Sequence, residues 1–334
     1  LELAKELMPA AKKALAHIEE EVKDTYLSYD IKDGDALKNE GWKDSYNSIV
    51  GEDGKLGKPP IALCEVQANL YVAYSNMSEV ASQLGDKNLA KDLKQKAKVL
   101  KDRFQEDFLL AKEGFVALAF DGRNKKLSSI TSNGGQVLYS GLLEKETASR
   151  VVDRLMKPDM YSGWGVRTLS SLNPAYNPDS YHNGSVWPHD NALIVEGMCK
   201  FGFKQEAARI LKSITEAALG SPETRLPELI GGYQRKKEDI SPIEYPMACS
   251  PQAWSALSVF HMLTSLLGIN ISALEAREKL QITNPFVPEW IGTVTVKNLQ
   301  IGQKKVSIHF YRENGETKWR IVKTESSPEP EKTG

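Results

Sequence analysis

Four acidic residues stand in stretches whose neighbours suit them to acid–base work: Asp44 in GWKDS, Glu65 in ALCEVQ, Asp190 in WPHDN and Glu228 in RLPELIGG. Trp42, Trp164, Trp187 and Trp254, four of the six tryptophans, fall in or beside the long polar stretches, as do Arg167, His182 and His189. Aromatic faces stack on the apolar faces of pyranose rings, and carboxylates, amides and guanidinium groups bind the hydroxyls. An apolar wall with a few convergent polar groups is therefore the composition of a sugar pocket. Cleaving a glycosidic bond needs two carboxyl groups across it, one to protonate the leaving oxygen and one to activate water or attack directly. Each acid also has a plainer reading. Asp190, two residues after Pro188, could bond free N–H groups at a helix start. Glu65 could favour a helix dipole. Asp44 and Glu228 could be solvated loop acids.

Other chemistries lack their signatures. There is no glycine-rich phosphate loop ending in Lys-Ser/Thr, no H-E-x-x-H and no paired-cysteine zinc spacing. YDIKDGD carries three aspartates without the spacing of a helix-loop-helix calcium loop, and GSVW is not a G-x-S-x-G elbow. His182 and His189 lie seven apart with no fixed third ligand, so neither metal nor cofactor is expected. The 43 basic and 44 acidic residues leave a formal charge of −1, which gives no general pull towards nucleic acid or an anionic membrane. No signal peptide and no apolar run of spanning length is seen, and a cytoplasmic location is expected. Cys64, Cys199 and Cys249 are far apart in apolar contexts and read as buried thiols.

The elements that must position these residues are helical. Ala4, Leu7, Met8, Ala11, Leu15 and Ile18 keep helical spacing, with charges on the other face. Further helices are predicted from Val66 to Gly85, near 89–108, 133–142, 144–156, 190–201 and 203–219, and over 251–267, making eight. Long loops run from about Asp24 to Pro60, Lys157 to Trp187 and Gly220 to Cys249, and they carry the candidate residues on one face. GFVALAFDGR reads as a short extended excursion. After Pro285 the period changes to two, and KKVSIHF and TKWRIV flank a hairpin turn around Asn314-Gly315. TESSPEPEKTG has the composition of a disordered tail.

GWKDS, PIALCEVQ, SGWGVRTLS, YNPDSYHNGSVWPHDNALI and LPELIGG followed by SPQAWS resemble, in this order, the bacterial amylo-α-1,6-glucosidase (glycogen-debranching-like) family of six-hairpin glycosidases. Trehalases and the family of processing α-glucosidase I are more distant relatives. The resemblance runs from the first helix to about Pro288, and SYHNGSVWPHDNALI is its most specific stretch. It implies an all-α (α/α)6 toroid and inverting hydrolysis of an α-glucosidic linkage, with Asp44 as general acid and Glu228 as general base. It also implies that Trp42, Gln67, Trp164, Arg167, Tyr181, His182, Asn183, Trp187, His189, Asp190 and Trp254 line the sugar site. Such a toroid has twelve helices, so the chain is expected to lack the N-terminal ones and the β-rich domain before them. Residues 1–285 would be a partial catalytic barrel, 286–324 a small C-terminal β segment and 325–334 the tail. The expected partner is an oligosaccharide or polysaccharide, with self-association or the missing segment covering the open barrel. A non-catalytic sugar-binding remnant and a helical-repeat interaction module are the competing classes, and trehalose, sucrose and mannosyl glycerate are rival substrates. Burial of Asp44 against Trp42 is expected to raise its pKa, with Lys43 pointing out to solvent.

Overall fold

The helical periodicity and the punctuation between helices decide the architecture. In the computed structural model of the chain, residues 2–22, 26–31, 37–272 and 279–326 are described. Among them are eight α-helices: α1 (Glu2–Glu21), α2 (Cys64–Gln83), α3 (Lys87–Asp107), α4 (Ser132–Ser140), α5 (Lys145–Leu155), α6 (Pro188–Phe201), α7 (Lys204–Gly220) and α8 (Ala253–Leu267). Stops and starts follow local chemistry. Asp86 accepts a bond from Leu89 N at 3.2 Å and caps α3. Pro188 opens α6, where its missing N–H costs nothing, and Gly202 closes it at φ 92°, a left-handed position that glycine takes without strain.

Contacts cluster into two units, one up to His261 and one from Met262 onward. In the first unit α2 packs on α3 and α4, α4 on α5 and α6, and α6 on α7. The α4–α6 approach is close because both helices carry glycine inside. A Cβ on Gly197 would lie 2.3 Å from the Leu138 side chain and 2.6 Å from the Tyr139 backbone. Mid-helix glycine costs about 0.5–1 kcal/mol in backbone entropy, and here it lets the row α2–α4–α6 bring three helix N-termini together. Short strands fill the connections: β1 (Ala62–Leu63), β2 (Leu109–Leu110), β3 (Phe115–Val116), β4 (Ala119–Phe120) and β5 (Lys126–Leu127). They form a three-stranded sheet β1-β4-β5 and a pair β2-β3, which is the extended excursion expected at 114–123.

The second unit holds a hairpin of β6 (Ile269–Ser272) and β7 (Lys279–Ile282), and an antiparallel sheet β10-β9-β8 of β8 (Thr293–Ile301), β9 (Lys304–Glu313) and β10 (Glu316–Ser326). Asn314 and Gly315 turn β9 into β10 at φ 51° and 83°, the paired positive φ of a primed hairpin turn. Val306, Ile308 and Phe310 alternate into a core with Leu267, Val287 and Ile301. The helical part was expected to run to 285, but β6 and β7 lie before that point. The tail was expected to begin at 325. Strand β10 continues through Ser326, and 327–334 lie outside the described residues, as does most of YDIKDGD.

The faces of α1 and α8 are unevenly covered. Leu15 and Leu267 are buried, whereas Leu7, Leu257 and Phe260 are more than half exposed. Among the described residues no helix is long and apolar enough to cross a membrane, and no group of three or more His, Cys, Asp and Glu side chains is placed to hold a metal ion. Of the three thiols only Cys64 is buried; Cys249 is exposed, because its apolar neighbours lie in the loop after Gly220 rather than on a helix face.

Candidate active site

The site is built on the loops around the N-termini of α2, α4 and α6. Four of its backbone segments are pinned edge to edge by single antiparallel bridges. Arg167 pairs with Val186, Val186 with Ile230, and Ile230 with Glu244. Val186 and Ile230 exchange both N–H···O bonds at 3.0 Å. Side chains reinforce the frame. Asn191, in the first turn of α6, accepts from Val166 N at 2.7 Å and donates to Val166 O and Trp187 O at 3.1 and 2.9 Å. Arg167 donates to Gly232 O, Pro158 O and Gln234 Oε1 at 2.6, 2.8 and 3.1 Å.

Six aromatic residues from three segments form one cluster on this frame. Trp42 meets His182, Trp187 and His189 edge to face, at centroid distances of 5.4, 5.7 and 5.3 Å. His182 stacks on Trp187 at 5.0 Å, His189 stacks on Trp254 at 3.9 Å, and Tyr181 packs against His182 and Trp187. Edge-to-face and offset pairs are the preferred aromatic geometries, so the rings hold one another rigidly. Trp254 remains 46% exposed and offers a free face.

The two carboxyl residues singled out by the resemblance reach this cluster from opposite sequence ends. The Asp44 side chain is 51% exposed, with Oδ1 3.9 Å from His182 Nδ1. That approach is not an ion pair. Burial, reinforced by the charge of Lys43, lowers the His182 pKa to about 3, and its Nδ1 shares a hydrogen bond with Ser45 Oγ at 2.7 Å. Glu228 is buried. Its Oε1 accepts from Tyr181 O–H at 2.8 Å and its Oε2 accepts a long bond from Cys249 N at 3.4 Å. Burial and the Glu228 bond raise the Tyr181 pKa, and the Asp44 charge adds to the shift. Tyr181 thus lies within electrostatic reach of both acids.

Other expected site residues are placed differently. Gln67 is fully buried and spends its amide on Leu27 N and O and on Leu63 O, at 2.8–3.1 Å. Trp164 lies outside the aromatic cluster, under the Arg235 guanidinium at 4.0 Å. Asn183 donates to Asn47 O at 2.7 Å and ties the first loop to the second. Asp190 does not cap α6. Its Oδ1 accepts from Gln136 Nε2 at 2.6 Å, its Oδ2 is buried without a partner, and burial raises its pKa to about 6. Two expectations about the first loop fail. Asp44 is not buried, and Lys43 points inward, 1% exposed, with Nζ donating to Thr168 O at 2.5 Å. The buried Asp190 and Glu65 carboxylates on the inner side favour the charged form of the lysine.

Ser132, Asn133 and Gln136 of α4 escaped sequence reading, although all three are buried beside Asp190 or Glu65. The signal was present in TSNGGQ: polar residues followed by two glycines in a predicted helix mark a helix start pressed against neighbours.

A pH dependence follows from the rings. His189, like His182, is held neutral by burial, its pKa lowered to about 4. Between pH 6.5 and about 4 the unfolded chain takes up a proton at each histidine that the folded chain refuses, so stability falls with pH. Asp190 opposes this, because its raised pKa favours the folded state as pH drops below about 6. The buried Glu65, raised likewise, opposes it too. The histidine contribution is therefore read by difference: from about pH 7 to about pH 4.5 the melting temperature of His189→Gln is expected to fall less, or rise more, than that of the wild type, and parallel profiles would show that the His189 ring is not held neutral.

The family model of the mannosylglycerate hydrolase MGH1-like glycoside hydrolase domain matches residues 8–224. The chain belongs to that family of glycoside hydrolases. No curated protein matches it. Among solved structures it is similar to a sialidase at 14% identity and a TM-score of 0.68, over 95% of this chain and 30% of that one. It is also similar to the GH63 mannosylglycerate hydrolase from Thermus thermophilus solved in complex with glucose, at 18% identity and a TM-score of 0.50, over 61% of this chain and 45% of that one. At such identities the likeness is one of fold. The chain spans less than half the length of either protein.

Proposed function

We propose that the chain carries the catalytic site of an inverting glycoside hydrolase acting on an α-glucosidic linkage, of the α-1,6-glucosidase debranching type. Asp44 is the general acid and Glu228 the general base, and the helices form part of an (α/α)6 toroid. The observation that carries this reading is the placement of two unlike carboxyl groups around one aromatic cluster. Asp44 is open to solvent beside His182, and Glu228 is buried and oriented by Tyr181. An open acid can deliver a proton to a leaving oxygen. A buried, hydrogen-bonded carboxylate can hold a water in line on the other face of the ring. Trp42, Trp187, His189 and Trp254 supply the stacking wall.

The family's name favours a second substrate, mannosyl glycerate, which bears a carboxylate. Lys43, Arg167 and Arg235, basic residues on the loops that hold the site, all end on protein acceptors or rings. That weighs towards an uncharged glucoside. A hydrolysis panel of maltooligosaccharides, a branched dextrin, trehalose and mannosyl glycerate separates the readings, with the anomer first released followed by proton NMR. Release of glucose as the β-anomer from the branched dextrin is the expected result. Hydrolysis of mannosyl glycerate alone moves the chain to the second substrate. Binding without turnover makes it a sugar-binding protein.

A further inference from the structure

A fully buried lysine next to a proposed catalytic acid needs a reason. Burying an ammonium is costly unless it is paired and hydrogen-bonded, and an apolar side chain would fill the same space without that penalty. Lys43 lies where the N-termini of α2, α4 and α6 converge, an end that helix dipoles make unfavourable for a cation. The Asp190 and Glu65 carboxylates of α6 and α2 face it and favour its charged form, and the buried Cys64 thiol is on the same side. Glu65 Oε1 and Asp190 Oδ2 are both buried without a hydrogen-bond partner, so the lysine acts on them through its charge and not through a direct bond. The Thr168 carbonyl that Lys43 grips also accepts from Ser132 N of α4 at 3.3 Å, and Thr168 Oγ1 accepts from Gly184 N at 2.9 Å. One ammonium therefore joins the first loop, the second loop and the three helix starts.

The loop outside this anchor is closed on itself. Ser48 Oγ donates to Lys43 O at 2.7 Å and Asn39 Nδ2 donates to Ser45 O at 2.6 Å. The Lys43 ammonium also lies over the Trp42 ring, 5.4 Å from its centroid, while the Asp44 side chain stays half exposed. A slip of one residue would bury Asp44 among carboxylates and expose the lysine.

We propose that Lys43 is a positioning residue for Asp44: its ammonium, clamped on Thr168 O and facing Glu65 and Asp190, fixes the direction in which the loop presents Trp42 and Asp44. The role in turnover rests on the function proposed above; the clamp itself does not. Lys43 also keeps Asp44 unpaired. Its charge, added to burial, disfavours protonation of His182, so the ring beside Asp44 is not an imidazolium. Burial lowers the Lys43 pKa to about 8, so the clamp is charged at neutral pH and weakens in alkali.

The test measures Lys43→Met, Asp190→Asn and the double variant Lys43→Met/Asp190→Asn, which removes one charge of each sign and covers failure of the single variant to fold. Trp42 has a buried indole N–H, so its ¹H–¹⁵N resonance, assigned by Trp42→Phe, reports the loop without any substrate. Loss of an ammonium over the ring shifts that resonance by itself, so the reading is by proximity: the Trp42 indole cross-peaks to the His182 and His189 rings are expected to weaken in both Lys43 variants while the Trp319 resonance stays. With a glycoside that the wild type hydrolyses, kcat should fall about 100-fold, the scale of a loss from a ~1 Å misplacement, with KM within about threefold. Asp190→Asn alone keeps the lysine and should leave Trp42 in place. Unchanged Trp42 cross-peaks, or kcat within about threefold of wild type, overturns the proposal. Failure of both Lys43 variants to fold overturns it in favour of a purely structural lysine. Wild-type protein that hydrolyses no glycoside, with Trp42 displaced in the variants, removes the proposed function and leaves the clamp standing.

Discussion

Replacing Glu228 by glutamine should lower turnover by about 10²–10⁴-fold, the usual contribution of a general base, while oligosaccharide affinity stays within a few-fold. The amide has the shape of the carboxyl but cannot take a proton from water. Its fit can be kept. Glu228 accepts from Cys249 N through one oxygen and from Tyr181 O–H through the other. With the amide oxygen turned to Cys249, its NH₂ would donate to Tyr181, whose hydroxyl can accept as well as donate. The backbone of residue 228 is held separately, N–H to Cys249 O at 2.9 Å and carbonyl from Ser255 Oγ at 3.2 Å. Calorimetric binding beside initial rates is the measurement. A variant that binds and keeps most of the wild-type rate would remove Glu228 from the chemistry and bring Asp190 and Glu65 back.

Asp44→Asn should lose a comparable factor on an oligosaccharide and far less on α-glucosyl fluoride. A departing sugar alkoxide needs a proton; fluoride leaves without one. The comparison isolates proton delivery from binding and folding, since both substrates share the glucosyl ring. The variant should fold normally, because the Asp44 carboxyl is half exposed and its nearest charged-type neighbour, His182, is neutral. Equal losses on the two substrates would assign Asp44 to binding rather than to acid catalysis.

Most of the helical frame was legible because it rests on local physics. The eight helices follow from periodicity, the β9–β10 turn from Asn314-Gly315, and the stop of α6 from Gly202. The direction of Lys43 was not legible. A lysine defaults to water, and only the convergence of α2 and α6, far apart in sequence, puts two carboxylates behind it. Asp190 misled in the same way. The rule for helix starts is local, whereas its partner Gln136 comes from another helix. Gln67 and Arg167 look like sugar ligands by type, but neighbouring backbone groups claim their hydrogen bonds first. Strands β6 and β7 were missed because four residues each, beside a long apolar helix, carry too little alternation to register. Resemblance brought Asp44 and Glu228 together, and no spacing rule linking residues so far apart could have done so.

The single bridges linking Arg167, Val186, Ile230 and Glu244 use backbone groups alone. A frame knitted this way tolerates side-chain changes along it wherever the side chain is not itself a brace, as those of Arg167 and Asn191 are. Mutations that alter which sugar is preferred can accumulate at exposed loop positions away from Tyr181 without loosening the segment that carries Glu228. Substrate preference would then drift quickly among such chains while the catalytic geometry is inherited almost unchanged, and two chains with similar loop bases need not share a substrate.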